Sequence, residues 1–429
     1  MVLHAALRPG VRVSGPLHLP EHEATTAQLG AAYPFAASLP LPTRQVLVGR
    51  DLAGGPFVHD PFELYAAGAL TNPNLTVLGQ IGRGKSALVK TYLLRQAAFG
   101  RRVAVLDPKG EYGALARALG VEPIRLSPGG GTRVNPLDLP LGSTAAEGGR
   151  VQRLGLCSAL VEATLHRRLE PNERLALELA LDACGPRPTL AEVVSALLAP
   201  GQEAARAAGV SATTLAADGR MAGLELRRLV RGDLAGMFDG TTTIPLAARS
   251  HALVVDLSEV YQSEALPALM VCAAAWLQSV TAAASARTLF VVDEAWAVLS
   301  EVAVARYLRA SWKLARSRGL ANVAVCHRAS DLATAGSEHS EESRLAEGLL
   351  ADSETVVCYA QPASELPVLA GLLGCSAREI EYLPRLGRGV ALWRVGERRF
   401  LVEHLLGSAE RAVVDTDARL GGPAGAGGT

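Results

Sequence analysis

Lysine is almost missing from this chain. Of 42 basic residues only four are lysines, Lys85, Lys90, Lys109 and Lys313, so chemistry that needs a compact ammonium has few places to sit. An excess of one charge is missing too: 42 Lys+Arg balance 42 Asp+Glu, and bulk charge points to neither nucleic acid nor a membrane surface. The six cysteines, Cys157, Cys184, Cys272, Cys326, Cys358 and Cys375, are far apart and form no CxxC pair. That spacing excludes a disulfide framework and a zinc site, and it suits buried thiols in a reducing compartment. The N-terminal run MVLHAALRPGVRVSGPLHLP has no continuous apolar block, so neither a signal peptide nor export is expected. Only Leu266–Ala286 goes 21 residues without a formal charge, long enough to span a bilayer. Alanine, Gln278, Ser279, Thr281 and Ser285 make it weakly apolar, and it lies between two strand-like runs. A buried crossover helix is therefore expected there, and no intrinsic membrane span.

What the chain has is core-forming sequence. Its 429 residues, 49% hydrophobic and 20% charged, have a globular composition with room for two or three domains at about 150 residues each. Five runs dense in Val, Leu and Ile, LTVLG (75–79), VAVLD (103–107), ALVVD (252–256), TLFVVD (288–293) and ANVAVC (321–326), each precede a helical pattern. Strands alternating with helices predict an α/β fold with a parallel-dominated central sheet. GVALWRV (389–395) and RRFLVEHL (398–405) alternate like a hairpin turned at Gly396-Glu397. Between 143 and 236 the pattern is helical throughout, with helix starts at Pro171-Asn172-Glu173 and Thr189-Leu190-Ala191-Glu192. Arginines there, from Arg150 to Arg231, are interleaved with Glu162, Glu170, Glu173, Glu178, Glu192 and Glu225, the pattern of a solvated helix face. The expected organisation is an N-terminal extension over 1–45, a core over 46–142 and 237–405, an all-helical insertion over 143–236, and a flexible tail over 406–429.

Residues 79–86 read GQIGRGKS, the pattern G-x-x-x-x-G-K-[ST] of a phosphate-binding loop. A buried strand precedes it and a helical run ending at Gly100 follows. Gly79, Gly82 and Gly84 let the backbone wrap closely around phosphates, and Arg83 lies in the same turn. The helix N-terminus faces the anion, Lys85 reaches the terminal phosphates, and Ser86 can ligate Mg2+. ATP and Mg2+ are the expected ligands. Hydrolysis then needs a carboxylate at a neighbouring strand end. Asp107, Asp256 and Asp293 all end strands, but only Asp293 is followed at once by a second acid, Glu294. Asp293 is therefore assigned to the metal and Glu294 to the attacking water; an Asp-Glu pair also commonly caps a helix, which stays open from sequence. Asp256 is expected to be structural. Asp107 opens DPKGEY, whose charged turn, with Lys109 and Glu111, sits on the ligand-facing edge of a parallel sheet. Asp107 and Glu111 are accordingly candidate nucleotide contacts.

Taken together, GQIGRGKS, DPKGEY, NPLD (135–138), GDLAGMFDG (232–240), VVDEAW (291–296), ARSRG (315–319) and VCHRASDL (325–332) resemble the FtsK–HerA superfamily, and within it the mating-pore ATPases of conjugation and type IV secretion. The resemblance spans about Val46 to Glu403 and implies a RecA-like P-loop core interrupted by an all-helical insertion. It also implies a homo-hexamer with ATP sites between neighbours, and an arginine acting in trans. Arg316 is the first candidate for that arginine and Arg318 the second; two surface arginines closing a helix would read the same. The family usually carries a γ-phosphate-sensing glutamine where this chain has His327, and its long N-terminal domain has no counterpart here. The resulting expectation is a cytoplasmic ATPase, free or peripheral at the inner face of the membrane, that powers a secretion or conjugation apparatus through its membrane-associated components. A DNA-translocating pump of the same superfamily is one alternative, since a few local arginines suffice to contact DNA. A weakly hydrolysing nucleotide-binding regulator or assembly scaffold is the other.

Overall fold

The computed structural model describes residues 40–44, 46–138, 146–244, 251–282, 286–315, 318–328, 348 and 351–414. Its strands are β1 Leu47–Asp51, β2 Pro56–Val58, β3 Leu75–Leu78, β4 Arg102–Asp107, β5 Ile124–Arg125, β6 Ala252–Asp256, β7 Thr288–Val292, β8 Leu320–Cys326, β9 Thr355–Tyr359, β10 Val390–Val395 and β11 Arg398–His404. They form one eleven-stranded sheet in the order β2-β1-β11-β10-β9-β3-β8-β7-β4-β6-β5. From β9 to β5 all neighbours are parallel, and from β10 to β2 all are antiparallel. The five predicted strands and the predicted hairpin are all present. Gly396 turns the hairpin at φ +58°.

Alternation along the parallel strands feeds two separate cores, one on each face of the sheet. Leu75, Val77, Val105, Val291 and Val325 face one side, where they meet Leu88, Val89 and Leu93 of helix α1, Lys85–Ala98. Leu78, Leu106, Val292 and Cys326 face the other, against α7, Leu266–Ala282, and α9, Val302–Ala315. Covering on both faces explains why these strands read as dense apolar runs without alternation. The charge-free stretch is α7, with Trp276 and most of its neighbours fully buried, and no described helix is long and apolar enough to cross a membrane.

Between β5 and β6 the described residues form five helices: α2 Ala146–Leu165, α3 Pro171–Ala183, α4 Leu190–Leu198, α5 Gln202–Ala208 and α6 Ala212–Arg231. Two of their starts are capping boxes at the positions the sequence suggests, Glu170 with Glu173 and Thr189 with Glu192. The NPLD turn fastens this helical segment to the sheet. Asn135 Nδ2 donates to Asp138 Oδ1 at 3.1 Å and to the Pro188 carbonyl at 3.0 Å, and Thr242 donates to Asp138 at 2.7 Å. Residues 406–414 fall in the segment expected as a flexible tail. Here they carry a short helix, Arg411–Val414, and Glu410 pairs with Arg95 of α1 at 2.7 Å.

Candidate active site

The phosphate loop leaves β3 and enters α1, and the neighbours of β3 hold it in place. Gln80 N–H donates to the Ala360 carbonyl just past β9 at 3.3 Å, and Gly389 N–H donates to the Arg83 carbonyl at 3.0 Å. Gly84 sits at φ +112° as the N-cap of α1, a conformation that costs any side chain. At Gly79 a Cβ would lie 2.5 Å from the Tyr359 Cβ, so closeness to β9 requires glycine there. Ile81 and Gly82 form the exposed tip.

The strand order explains how distant residues meet. β9-β3-β8-β7-β4 places one strand, β8, between the loop-bearing β3 and the acid-bearing β7, so the C-terminal tips of all five share one edge. Asp293 directly follows β7 and is almost fully buried. Its Oδ1 accepts the Glu294 N–H at 2.9 Å, and burial pushes its pKa up to about 6. On the next strand burial pushes Asp107 up to about 7. Burial favours the neutral form of both carboxylates. In each, folding disfavours the charged form, so the penalty is present above the folded pKa and disappears as pH falls below the ordinary carboxylate value. Asp293→Asn is therefore expected to stabilise the protein at pH 8. One pK unit is worth about 1.4 kcal/mol, so thermal melts should show the gain at pH 8 and lose it near pH 4; no gain at pH 8 would contradict the assignment.

Glu294 adopts a left-handed backbone, φ 52° and ψ 39°, and makes no side-chain cap to the following helix α8, Ala295–Leu299. The capping alternative therefore fails. This strained conformation, costing about 1–2 kcal/mol, turns the carboxylate back over the sheet edge. There Lys109 Nζ donates to Oε1 at 2.6 Å, His327 Nε2 lies 2.8 and 3.0 Å from the two oxygens, and Trp296 Nε1 donates to Oε2. Burial alone would raise the Glu294 pKa; the hydrogen bonds from His327, Lys109 and Trp296 overturn it and leave it at about 2. Lys85, brought down to about 8 chiefly by burial, folds back onto the loop. Its Nζ donates to the carbonyls of Gly79 and of Gln80, the latter at 3.1 Å, and sits 3.2 Å from His327 Nδ1.

Lys85, Asp293, Glu294 and His327 thus come together as expected from their strand-tip positions, and Ser86 follows Lys85 in the first turn of α1. Asp107 and Glu111 have other occupations. Asp107 accepts the Glu111 and Tyr112 N–H groups at 3.1 and 2.8 Å, which closes the DPKGEY turn on itself. Glu111 faces the buried Lys90 at 3.9 Å. The group that this turn sends to the site is Lys109, one of the four lysines, whose partner Glu294 is not evident from the sequence. Asp256 is structural: it accepts the Ser258 N–H at 2.9 Å and lies 3.6 Å from Arg125. Arg316 lies outside the described residues. Arg318 precedes β8, at the strand end opposite His327, with Nη2 3.5 Å from Gln152 Oε1 on α2. Seven residues of strand at about 3.3 Å each separate it from its own loop, so Arg318 is not placed to serve the site of its own chain.

No protein-family model matches the sequence, and no curated protein matches it. Solved structures do. VirB4 of Thermoanaerobacter pseudethanolicus matches with a TM-score of 0.69 at 23% identity, covering 87% of this chain and 100% of that one. The bacterial conjugative coupling protein TrwBdeltaN70 matches at 0.56 and 15% identity, covering 85% and 89%. TrwB in complex with ADP and Mg2+ matches at 0.55 and 17% identity, covering 80% and 87%. The chain therefore shares the RecA-like P-loop fold of VirB4 and TrwB.

Proposed function

We propose that this chain is a magnesium-dependent ATPase that works as a hexameric ring and powers conjugative transfer or type IV secretion from the cytoplasmic side, docked to membrane-associated components. The observation that carries the reading is a single cluster: the loop lysine Lys85, the buried Asp293 and the strained Glu294 converge on one sheet edge. The likeness of fold to TrwB in complex with ADP and Mg2+ lends support.

The residues fit Mg2+. Ser86 and Asp293 offer hard oxygen donors, and burial leaves Asp293 in need of a positive neighbour. Once bound, Mg2+ would offset negative charge on the phosphates. The protein supplies the rest: backbone N–H groups of residues 82–86 and the N-terminus of α1 to cradle phosphate oxygens, Lys85 to contact the terminal phosphates, and Glu294 to orient the water and accept its proton. Asp107 shapes the neighbouring turn from β4. Arg316, with Arg318 as the second candidate, reaches the phosphates of the adjacent subunit; the distance of Arg318 from its own loop favours action in trans over action in cis.

Subunit mixing tests the ring. Arg316→Ala subunits and Glu294→Gln subunits are each expected to be inactive alone and to regain part of the wild-type rate when mixed, because some interfaces then pair an intact arginine with an intact glutamate. An arginine acting in trans contributes about 10³–10⁵ in rate, so even partial recovery stands clear of background. Full activity in both Arg316→Ala and Arg318→Ala would mean that the trans arginine lies elsewhere or is absent, and a fully active monomer in light scattering would remove the hexameric reading.

A further inference from the structure

In sequence the arginines and acids of the helical segment are interleaved; in space they part. Glu162 pairs with Arg306 at 3.3 Å, Glu173 with Arg167 at 2.7 Å, and Glu178 and Asp182 both with Arg150, at 2.5 and 2.7 Å. Those carboxylates are thereby spent away from α6, which carries four arginines of its own, Arg220, Arg227, Arg228 and Arg231. All four are exposed, and none has a hydrogen bond or an ion pair among the described residues. At 3.6 residues per turn they fall, together with Met221 and Leu224, inside a sector of about 120° and along about 16 Å of helix axis. The two acids of α6, Asp218 and Glu225, are half-buried and lie outside that sector. Packing fixes the sector outward, because Leu215, Ala222, Leu226 and Leu229 on the other side of α6 are buried against α3 and α4.

We propose that the outer face of α6 is a docking surface for the anionic headgroups of a phospholipid bilayer. The inference stands apart from the ATPase reading and uses none of its residues. Charge complementarity carries it: guanidinium groups without local carboxylates attract phosphate, and each basic side chain near an anionic membrane strengthens adsorption about fivefold. Charges are screened beyond about 8 Å at physiological salt, so the local excess on α6 governs, not the net zero of the chain.

Other polyanions fit this face less well. Met221 and Leu224 are 43% and 38% exposed among the arginines. The phosphates of a nucleic acid would press on these apolar side chains and leave them unmatched, whereas the boundary between headgroup and acyl chain offers phosphate and hydrocarbon side by side. Hot spots between proteins gather around aromatic anchors, and α6 contains no aromatic residue. A bilayer is also continuous, so it requires no match in spacing to the arginines.

Co-sedimentation of the wild-type chain with vesicles is the test. Binding is expected to phosphatidylcholine vesicles containing about 30% phosphatidylglycerol, to weaken steeply between about 50 and 500 mM salt, and to be absent with phosphatidylcholine alone. Combining Arg220→Gln, Arg227→Gln, Arg228→Gln and Arg231→Gln should lower partitioning about 10²- to 10³-fold, the product of four fivefold steps. The same four positions changed to lysine should keep it. Arg150→Gln with Arg167→Gln, which removes charge from paired arginines elsewhere in the segment, should leave it near wild type. A cooperative thermal melt of the glutamine variant separates lost binding from lost fold. Wild-type protein that ignores anionic vesicles at low salt, that binds neutral vesicles equally well, or whose affinity survives in a folded glutamine variant would overturn the proposal. So would binding of duplex DNA or polyglutamate that is lost in that variant while vesicles are ignored, which would give the face to a nucleic acid or an acidic protein. None of these outcomes touches the ATPase reading, which stands or falls on phosphate release.

Discussion

Glu294→Gln is expected to leave ATP bound and to slow its hydrolysis by about 10²–10⁴-fold, the range that a positioned general base contributes. The substitution is nearly isosteric, and the amide oxygen can still accept from Lys109 or from Trp296, which hold the carboxylate in place. What disappears is the capacity to take a proton from water. Affinity measured by calorimetry and turnover measured by phosphate release should therefore separate, with binding close to wild type and turnover close to background. A glutamine variant that hydrolyses ATP at the wild-type rate would show that the base lies elsewhere. Glu111 would not be a ready substitute, because it faces Lys90.

Lys85→Ala is expected to weaken ATP binding about 10²-fold or more. Hydrogen bonds to charged groups contribute about 1.5–3 kcal/mol each, and the ammonium can donate more than one to the phosphates. Among the described residues neither neighbouring lysine is free to replace it. Lys109 is paired with Glu294 at 2.6 Å, and Lys90 is sealed beneath the turn beside Glu111 and Tyr112. Equal affinities for mutant and wild type in calorimetry would mean that nucleotide, if it binds at all, binds away from this loop.

The parts of this fold that could be read in the sequence are those where local pattern and global environment agree. β3, β4, β7 and β8 are buried on both faces, so their runs are dense in apolar residues, and a glycine, aspartate or histidine stands at or just after each C-terminal end, at the site edge. The loop is legible because phosphate binding fixes glycine, lysine and serine at set spacings. β1, β2 and β5 were not legible: β1 holds Gly49 and Arg50, β2 starts at Pro56, and β5 has two residues. β9 follows a polar stretch and is only five residues long, too short to tell from a buried helical turn by periodicity.

Within the site, residue types and strand positions could be read, and partners could not. Lys109 and Glu294 are 185 residues apart, and Lys85 and His327 are 242 apart. The pairing of β4 with β7 brings the first two within hydrogen-bond distance, and the pairing of β3 with β8 the second two. The positive φ of Glu294 leaves no mark in the sequence either, since glutamate is not a residue type that signals a left-handed backbone. Asp107 ends β4 at the site edge, and what its strand-end position does not reveal is that its side chain accepts two N–H groups of its own turn.

The central claim is that Lys85, Asp293 and Glu294 together hydrolyse ATP, and steady-state phosphate release by purified protein supplied with ATP and Mg2+ tests it most directly. The account predicts release that needs Mg2+, rises more steeply than in proportion to protein concentration as the ring assembles, and falls to background in Lys85→Ala prepared identically. No release at any protein concentration at which light scattering shows an assembled ring, or release that persists undiminished in Lys85→Ala, would contradict it.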